Sequence, residues 1–137
     1  MTAVDTSVLL DVFGADPTFG TRSREAVRRC LTQGGLVACD IVWAEVAASF
    51  GSSDAATDAL HRLHVAFSPM DERAAMTAGA AFKDYRLRGG ARTRMVADFL
   101  IGAHALTQAE RLLTRDRGFY RTSFTGLSVV DPASSAG

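Results

Sequence analysis

Thr2-Ala3-Val4-Asp5-Thr6-Ser7-Val8-Leu9-Leu10 opens the chain and decides how the rest is read. Residues 2–5 have the composition of a short strand. Asp5-Thr6-Ser7 then gives a helix N-terminus, where a side-chain oxygen accepts from an otherwise unbonded backbone N–H. Val8-Leu9-Leu10 supplies the apolar face of that helix. A strand that runs into a helix with an acid at the junction is the first half of an α/β unit.

The pattern repeats outward from there. Asp16-Pro17 marks a loop, and Ser23 to Leu31 is an amphipathic helix closed by Gly34-Gly35. Leu36-Val37-Ala38-Cys39 is a second strand. Asp40 is expected to cap a helix reaching about Phe50. Asp54 is expected to cap another that carries Leu60, Leu63 and Val65-Ala66-Phe67. Ser68-Pro69 breaks the chain, and Asp71 caps a long helix to about Leu87. Beyond Gly89-Gly90 come an apolar helix from Val96 to Ala109, a strand over Arg111–Thr114, a turn or short helix over Arg117–Tyr120, and a last strand over Leu127–Val130. Strands alternating with helices predict a three-layer α/β/α sandwich around a mostly parallel sheet. Residues 1–131 form one domain without an internal linker, and 132–137 are expected to be a disordered tail.

The chain has 137 residues, 47% hydrophobic and 22% charged, which suits one globular domain with a substantial core. No apolar run has a membrane-spanning length or a signal-peptide layout, so the expected location is the cytoplasm. Cys30 and Cys39 read as buried small hydrophobes in a reducing compartment. The formal net charge is zero, so global charge carries no nucleic-acid footprint. Of the 15 basic residues only Lys83 is lysine, and Arg86, Arg88, Arg92 and Arg94 form the one local basic concentration. That loop reads equally as a solvated surface and as a contact for RNA phosphates.

Four acids stand in or beside segments expected to pack. They are Asp5, Glu45 within Ile41–Ala48, Asp98 within Met95–Ala103, and Asp116 after Arg111–Arg115. A lone carboxylate in a core costs several kcal/mol or more, and a bound cation offsets that cost for several at once. Oxygen ligands of this kind favour Mg²⁺ or Mn²⁺. Asp5 and Asp116 directly follow candidate strands, and ligands of parallel sheets bind beyond the strands' carboxyl ends. Singly, Asp5 reads as well as an N-cap, Asp98 as a helix-start acid and Asp116 as a turn residue. Glu45 has no such local role. His61 and His64 sit at helical spacing without an evident third ligand, and Trp43, Phe50, Phe82, Phe99 and Phe119 read as core.

Val4-Asp5-Thr6-Ser7, Ala44-Glu45-Val46, Ala97-Asp98-Phe99-Leu100-Ile101-Gly102-Ala103-His104 and Leu113-Thr114-Arg115-Asp116 together resemble the four motifs of PIN-domain nucleases. Length and motif order resemble the VapC-type toxins of bacterial toxin–antitoxin modules, over about residues 2–131. The resemblance implies a Mg²⁺- or Mn²⁺-dependent endoribonuclease, usually a homodimer, neutralised by a small antitoxin. By motif, Asp5, Glu45, Asp98 and Asp116 would form the catalytic metal site, with Thr6 and Thr114 as supporting hydroxyls. Asp11 and Asp84 match no motif. Two other acid-rich α/β classes fit poorly. A haloacid-dehalogenase-type phosphatase wants a second aspartate two residues after the first, where Ser7 stands. A signalling receiver wants a lysine after a late strand, and Lys83 lies on an expected helix. The readings left beside an RNA-cutting toxin are a catalytically weak RNA-binding module and a structure-specific DNA nuclease.

Overall fold

The structure is a computed structural model that describes residues 1–91 and 96–133. Arg92, Arg94 and residues 134–137 of the expected tail therefore lie outside the described residues. Along the chain the elements are β1 (Thr2–Val4), α1 (Thr6–Phe13), α2 (Gly20–Thr32), β2 (Leu36–Ala38), α3 (Asp40–Ala48), α4 (Ser53–Arg62), β3 (Val65–Phe67), α5 (Glu72–Leu87), α6 (Val96–Gln108), β4 (Arg111–Leu113), α7 (Arg117–Ser123) and β5 (Val129–Val130). The strands form one sheet in the order β3-β2-β1-β4-β5, and every pairing is parallel. This is the three-layer α/β/α arrangement the alternation of elements implies.

Strand order decides where a ligand can go. From β1 the chain steps outward through β2 to β3, then returns to the other side of β1 and continues through β4 to β5. The direction of winding therefore reverses between β1 and β4. In open parallel sheets the crevice at such a reversal, beyond the carboxyl ends of the strands, is where ligands bind. Asp5 follows β1 and Thr114 follows β4, so the two flank that crevice. The Asp5 backbone N–H donates to the Leu113 carbonyl at 2.9 Å, extending the pairing to its edge.

Several expected boundaries move. Val65–Phe67 is edge strand β3, not the end of the preceding helix. The helix stops because Leu63 caps it and His64 takes a left-handed φ of 60°, with no glycine or proline there to announce the break. Asp40 is the first helical residue of α3, and Cys39 takes the cap position. Ser52 rather than Asp54 caps α4, accepting from the Ala55 N–H at 3.1 Å. β5 shortens to two residues. Asp5 and Asp71 do cap α1 and α5 as expected.

The sheet and inner helix faces enclose the core. β1 and β2 are buried throughout, as three-residue strands covered on both faces must be. Phe99 of α6 has no exposed surface and sits amid Phe82, Tyr85 and Phe119 at centroid distances of 5.2, 5.3 and 5.1 Å. One turn on, Gly102 lets the Phe124 ring approach so closely that an added Cβ would lie 2.3 Å from it. These contacts fix the rotation of α6, and with it the direction of Asp98. Both cysteines are buried thiols, in agreement with the sequence reading.

Candidate active site

Asp5, Glu45, Asp98 and Asp116 line one open cavity of about 580 Å³, together with Thr6, Ser7, Leu10 and Arg115. They come from just beyond β1 and β4, from the interior of α3 and from the first turn of α6. Their burial is unequal. Asp5 is 8% exposed and Asp98 half-buried, whereas Glu45 and Asp116 are exposed. The segments that carry the acids pack as expected, through Val42 and Val46 of α3, Phe99 of α6 and Leu112 and Leu113 of β4, but of the four acids only Asp5 is itself buried. Glu45 lies in an apolar run, but its side chain is exposed and lines the cavity, where it accepts from Thr6.

Two threonines tie the acids together. Thr114 Oγ1 donates to Asp5 Oδ2 at 2.7 Å and accepts from the Asp116 N–H at 3.0 Å. Thr6 Oγ1 donates to Glu45 Oε1 at 2.6 Å, while its backbone N–H donates to Asp5 Oδ1 at 2.8 Å. Each threonine thus links Asp5 to a residue on the rim, Thr114 through its hydroxyl alone and Thr6 through its hydroxyl and backbone N–H. Asp98 stands in the first turn of α6, where the helix dipole favours negative charge.

Burial pushes the Asp5 carboxyl up to about 6. The hydrogen bonds from Thr114 and Thr6 oppose that rise, and the nearby charges of Asp98 and Glu45 add to it. The cavity therefore concentrates negative charge around a group that already resists ionising. A cation reverses that balance. The donors fit Mg²⁺ or Mn²⁺ in chemistry, since carboxylate and hydroxyl oxygens line the cavity without thiol or imidazole. Among the described residues, however, no three Asp, Glu, His or Cys side chains are grouped to hold an ion as they stand. The fit is therefore one of donor chemistry.

Arg115 was missed as a site residue. It lines the cavity between Thr114 and Asp116, and its guanidinium donates to both carboxylate oxygens of Asp11 at 2.8 and 3.2 Å. The Phe19 ring lies 4.0 Å beneath it. Asp11, which matches no motif, is thus the residue that positions an arginine beside the acids, and Ser23 Oγ donates to it at 2.9 Å. The signal was present, because Asp11 is an acid in the apolar run Val8–Val12.

The other candidates separate. Arg88 lines an adjoining cavity with Tyr85, Phe119 and Asp116, and Arg86 lies over the Phe82 ring at 5.7 Å. Arg88 is therefore next to Asp116, whereas Arg86 belongs to α5 and lines a cavity without any of the four acids. His61 packs edge-on against Trp43 at 5.9 Å, and among the described residues no metal-binding group includes His61 or His64. His104 is buried, with Nε2 2.9 Å from Ser68 Oγ, and burial lowers its pKa.

The PIN domain family matches this chain over residues 2–125. The fold is similar to that of solved toxin–antitoxin structures. VapBC2 from Rickettsia felis, bound to a promoter DNA fragment, superposes with TM-score 0.74 at 15% identity, covering 95% of this chain and 97% of that one. VapBC-1 from nontypeable Haemophilus influenzae gives 0.74 at 18%, covering 97% and 98%. A toxin–antitoxin complex from Klebsiella pneumoniae gives 0.66 at 21%, covering 98% and 99%. No curated protein sequence matches the chain.

Proposed function

Because the chain belongs to the PIN domain family, we propose that it is a metal-dependent endoribonuclease and the toxin of a bacterial toxin–antitoxin module. The observation that carries this reading is one cavity, at the winding reversal of the sheet, lined by Asp5, Glu45, Asp98 and Asp116 from four separate segments. The toxin–antitoxin neighbours support the module assignment by analogy of fold.

Asp5 and Asp98 would be the primary ligands of Mg²⁺ or Mn²⁺, with Asp116 and Glu45 joining directly or through water. The ion would supply an activated water and neutralise charge that builds on the phosphate. The chain's own residues prepare the site. Thr114 fixes the Asp5 carboxylate and holds the Asp116 backbone, and Thr6 restrains Glu45. Carboxylates not coordinating the ion can orient the attacking water and accept its proton. Arg115 supplies positive charge at the wall, and Arg86 and Arg88, with Arg92 and Arg94 of the same loop, would meet RNA phosphates flanking the cut. Such a site needs no serine, cysteine or histidine nucleophile.

As partners the reading implies an RNA substrate, a cognate small antitoxin and a second copy of the chain in a homodimer, all in the cytoplasm. No helix among the described residues is long and apolar enough to cross a membrane. The test is cleavage of total cellular RNA by wild-type protein and by Asp98→Asn, with Mg²⁺ or Mn²⁺ and with EDTA. Discrete fragments from the wild type alone, lost in EDTA, are expected. Identical behaviour of the two proteins would shift the reading to an RNA-binding module.

A further inference from the structure

We infer that a second cavity, at the β5 edge of the sheet, is a binding site for a phosphate group. It measures about 220 Å³ and its walls include Arg29, Arg111, Arg117, Arg121, Cys30 and Asp131. None of its lining residues lines the carboxylate cavity. The four arginines come from α2, β4 and α7, and among the described residues that line the cavity Asp131 is the one acid, its Oδ2 3.5 Å from Arg117 Nε. The chain as a whole has zero formal net charge, so this is a local concentration and not general basicity.

Helix stability does not account for the cluster. Arg117 and Arg121 are one turn apart on a helix of seven residues, and like charges at that spacing are destabilising by a few tenths of a kcal/mol. Arg111 is held in place from behind. Its Nε donates to Thr2 Oγ1 at 2.8 Å, and its Nη2 donates to Gln33 Oε1. Arg117 and Arg121 stand exposed at the mouth. Arg111, whose Nε and Nη2 are engaged by Thr2, Gln33 and Cys30, adds fixed positive charge, and the two exposed guanidinium groups at the rim suit a tetrahedral oxyanion, because a planar fork can offer two parallel N–H donors to phosphate oxygens. The volume corresponds to roughly seven waters at about 30 Å³ each, enough for a phosphate group with part of its hydration.

The position suggests which phosphate. Asp116 lines the carboxylate cavity, and the next residue, Arg117, lines this one. If the carboxylates cut RNA, as proposed above, a strand crossing the start of α7 passes from one cavity to the other. The site then takes a backbone phosphodiester several bonds from the cut. A free phosphate ion has the same chemistry, and the experiment separates the two sources.

The test uses the full chain carrying Asp98→Asn, so that RNA is bound and not cut, with and without Arg117→Gln plus Arg121→Gln. Inorganic phosphate is titrated by calorimetry, and a labelled single-stranded oligoribonucleotide by anisotropy over a range of salt. Loss of the two arginines is expected to weaken RNA binding by about tenfold and to reduce the slope of log K against log salt by about 1.4, at about 0.7 per contact. Weakening of phosphate binding alone would assign the site to a free anion. Unchanged affinity for both ligands, at an unchanged unfolding midpoint, would overturn the inference. If the midpoint falls, Arg117→Lys plus Arg121→Lys replaces the pair, and it should keep part of the salt slope while losing affinity. The nuclease reading fails separately, through absence of cleavage by the protein with Asp98 intact.

Discussion

Arg115 and Asp11, 104 positions apart, form a two-pronged ion pair at 2.8 and 3.2 Å that fastens the segment after β4 to the middle of α1. Both ends of this link carry site residues, since Asp5 caps α1 and Asp116 follows Arg115. Asp11→Ala removes a 6%-exposed carboxylate from Arg115 and Ser23. We expect a loss of about 1–3 kcal/mol in urea unfolding, and a fall in cleavage rate larger than the fall in RNA affinity. Equal losses in rate and affinity would reduce the pair to a structural clamp.

The Asp5 carboxyl gives a stability profile with a definite sign. Its pKa rises from 3.8 unfolded to about 6 folded, so the folded protein holds this proton more tightly than the unfolded chain does. The associated stabilisation is complete below about pH 4 and is lost as pH rises through 6. In metal-free buffer at pH 7–8, Asp5→Asn should therefore be more stable than wild type, by up to about 3 kcal/mol, while losing cleavage. Asparagine keeps the cap acceptor. The two proteins should converge in stability near pH 4, and a constant difference across this range would remove Asp5 as the cause.

His104 works in the opposite direction. Its pKa is lowered from 6.5 by burial, so the unfolded chain takes up a proton that the folded protein resists. This stabilises the neutral-pH fold relative to acid, and the contribution is lost as pH falls below 6.5. An NMR titration should find the His104 ring titrating below that value, and Ser68→Ala should remove its 2.9 Å partner without abolishing cleavage.

Packing under Asp98 should matter to chemistry. Gly102→Ala places a Cβ 2.3 Å from the Phe124 ring, so either the ring or α6 must shift. A cost of about 1–3 kcal/mol is expected. Phe99→Ala should cost about 3–5 kcal/mol. If α6 orients Asp98, cleavage at temperatures where both variants remain folded falls more for Gly102→Ala than for an exposed alanine substitution at Met76.

Replacing Arg86, Arg88, Arg92 and Arg94 with glutamine should weaken RNA binding and flatten its salt dependence by as much as about 2.8 in slope, at about 0.7 per contact. An unchanged slope would return the loop to ordinary solvated surface.

What the sequence determined by itself is local. Asp5-Thr6-Ser7 specified a strand end, a cap and a helix start because capping depends on the nearest backbone groups. The four acids stood out because an acid in or beside an apolar run is costly wherever the run packs. Tertiary structure decided everything that depends on pairing between distant segments. Three-residue strands carry too little pattern to fix their order, so β3 and the winding reversal between β1 and β4 emerge only when the sheet assembles. The same assembly exposes Glu45, buries Asp5, and brings Asp11 to Arg115. It also gathers Arg29, Arg111, Arg117 and Arg121 around one cavity. Charge interactions follow distance in space, and spacing along the chain does not record that distance.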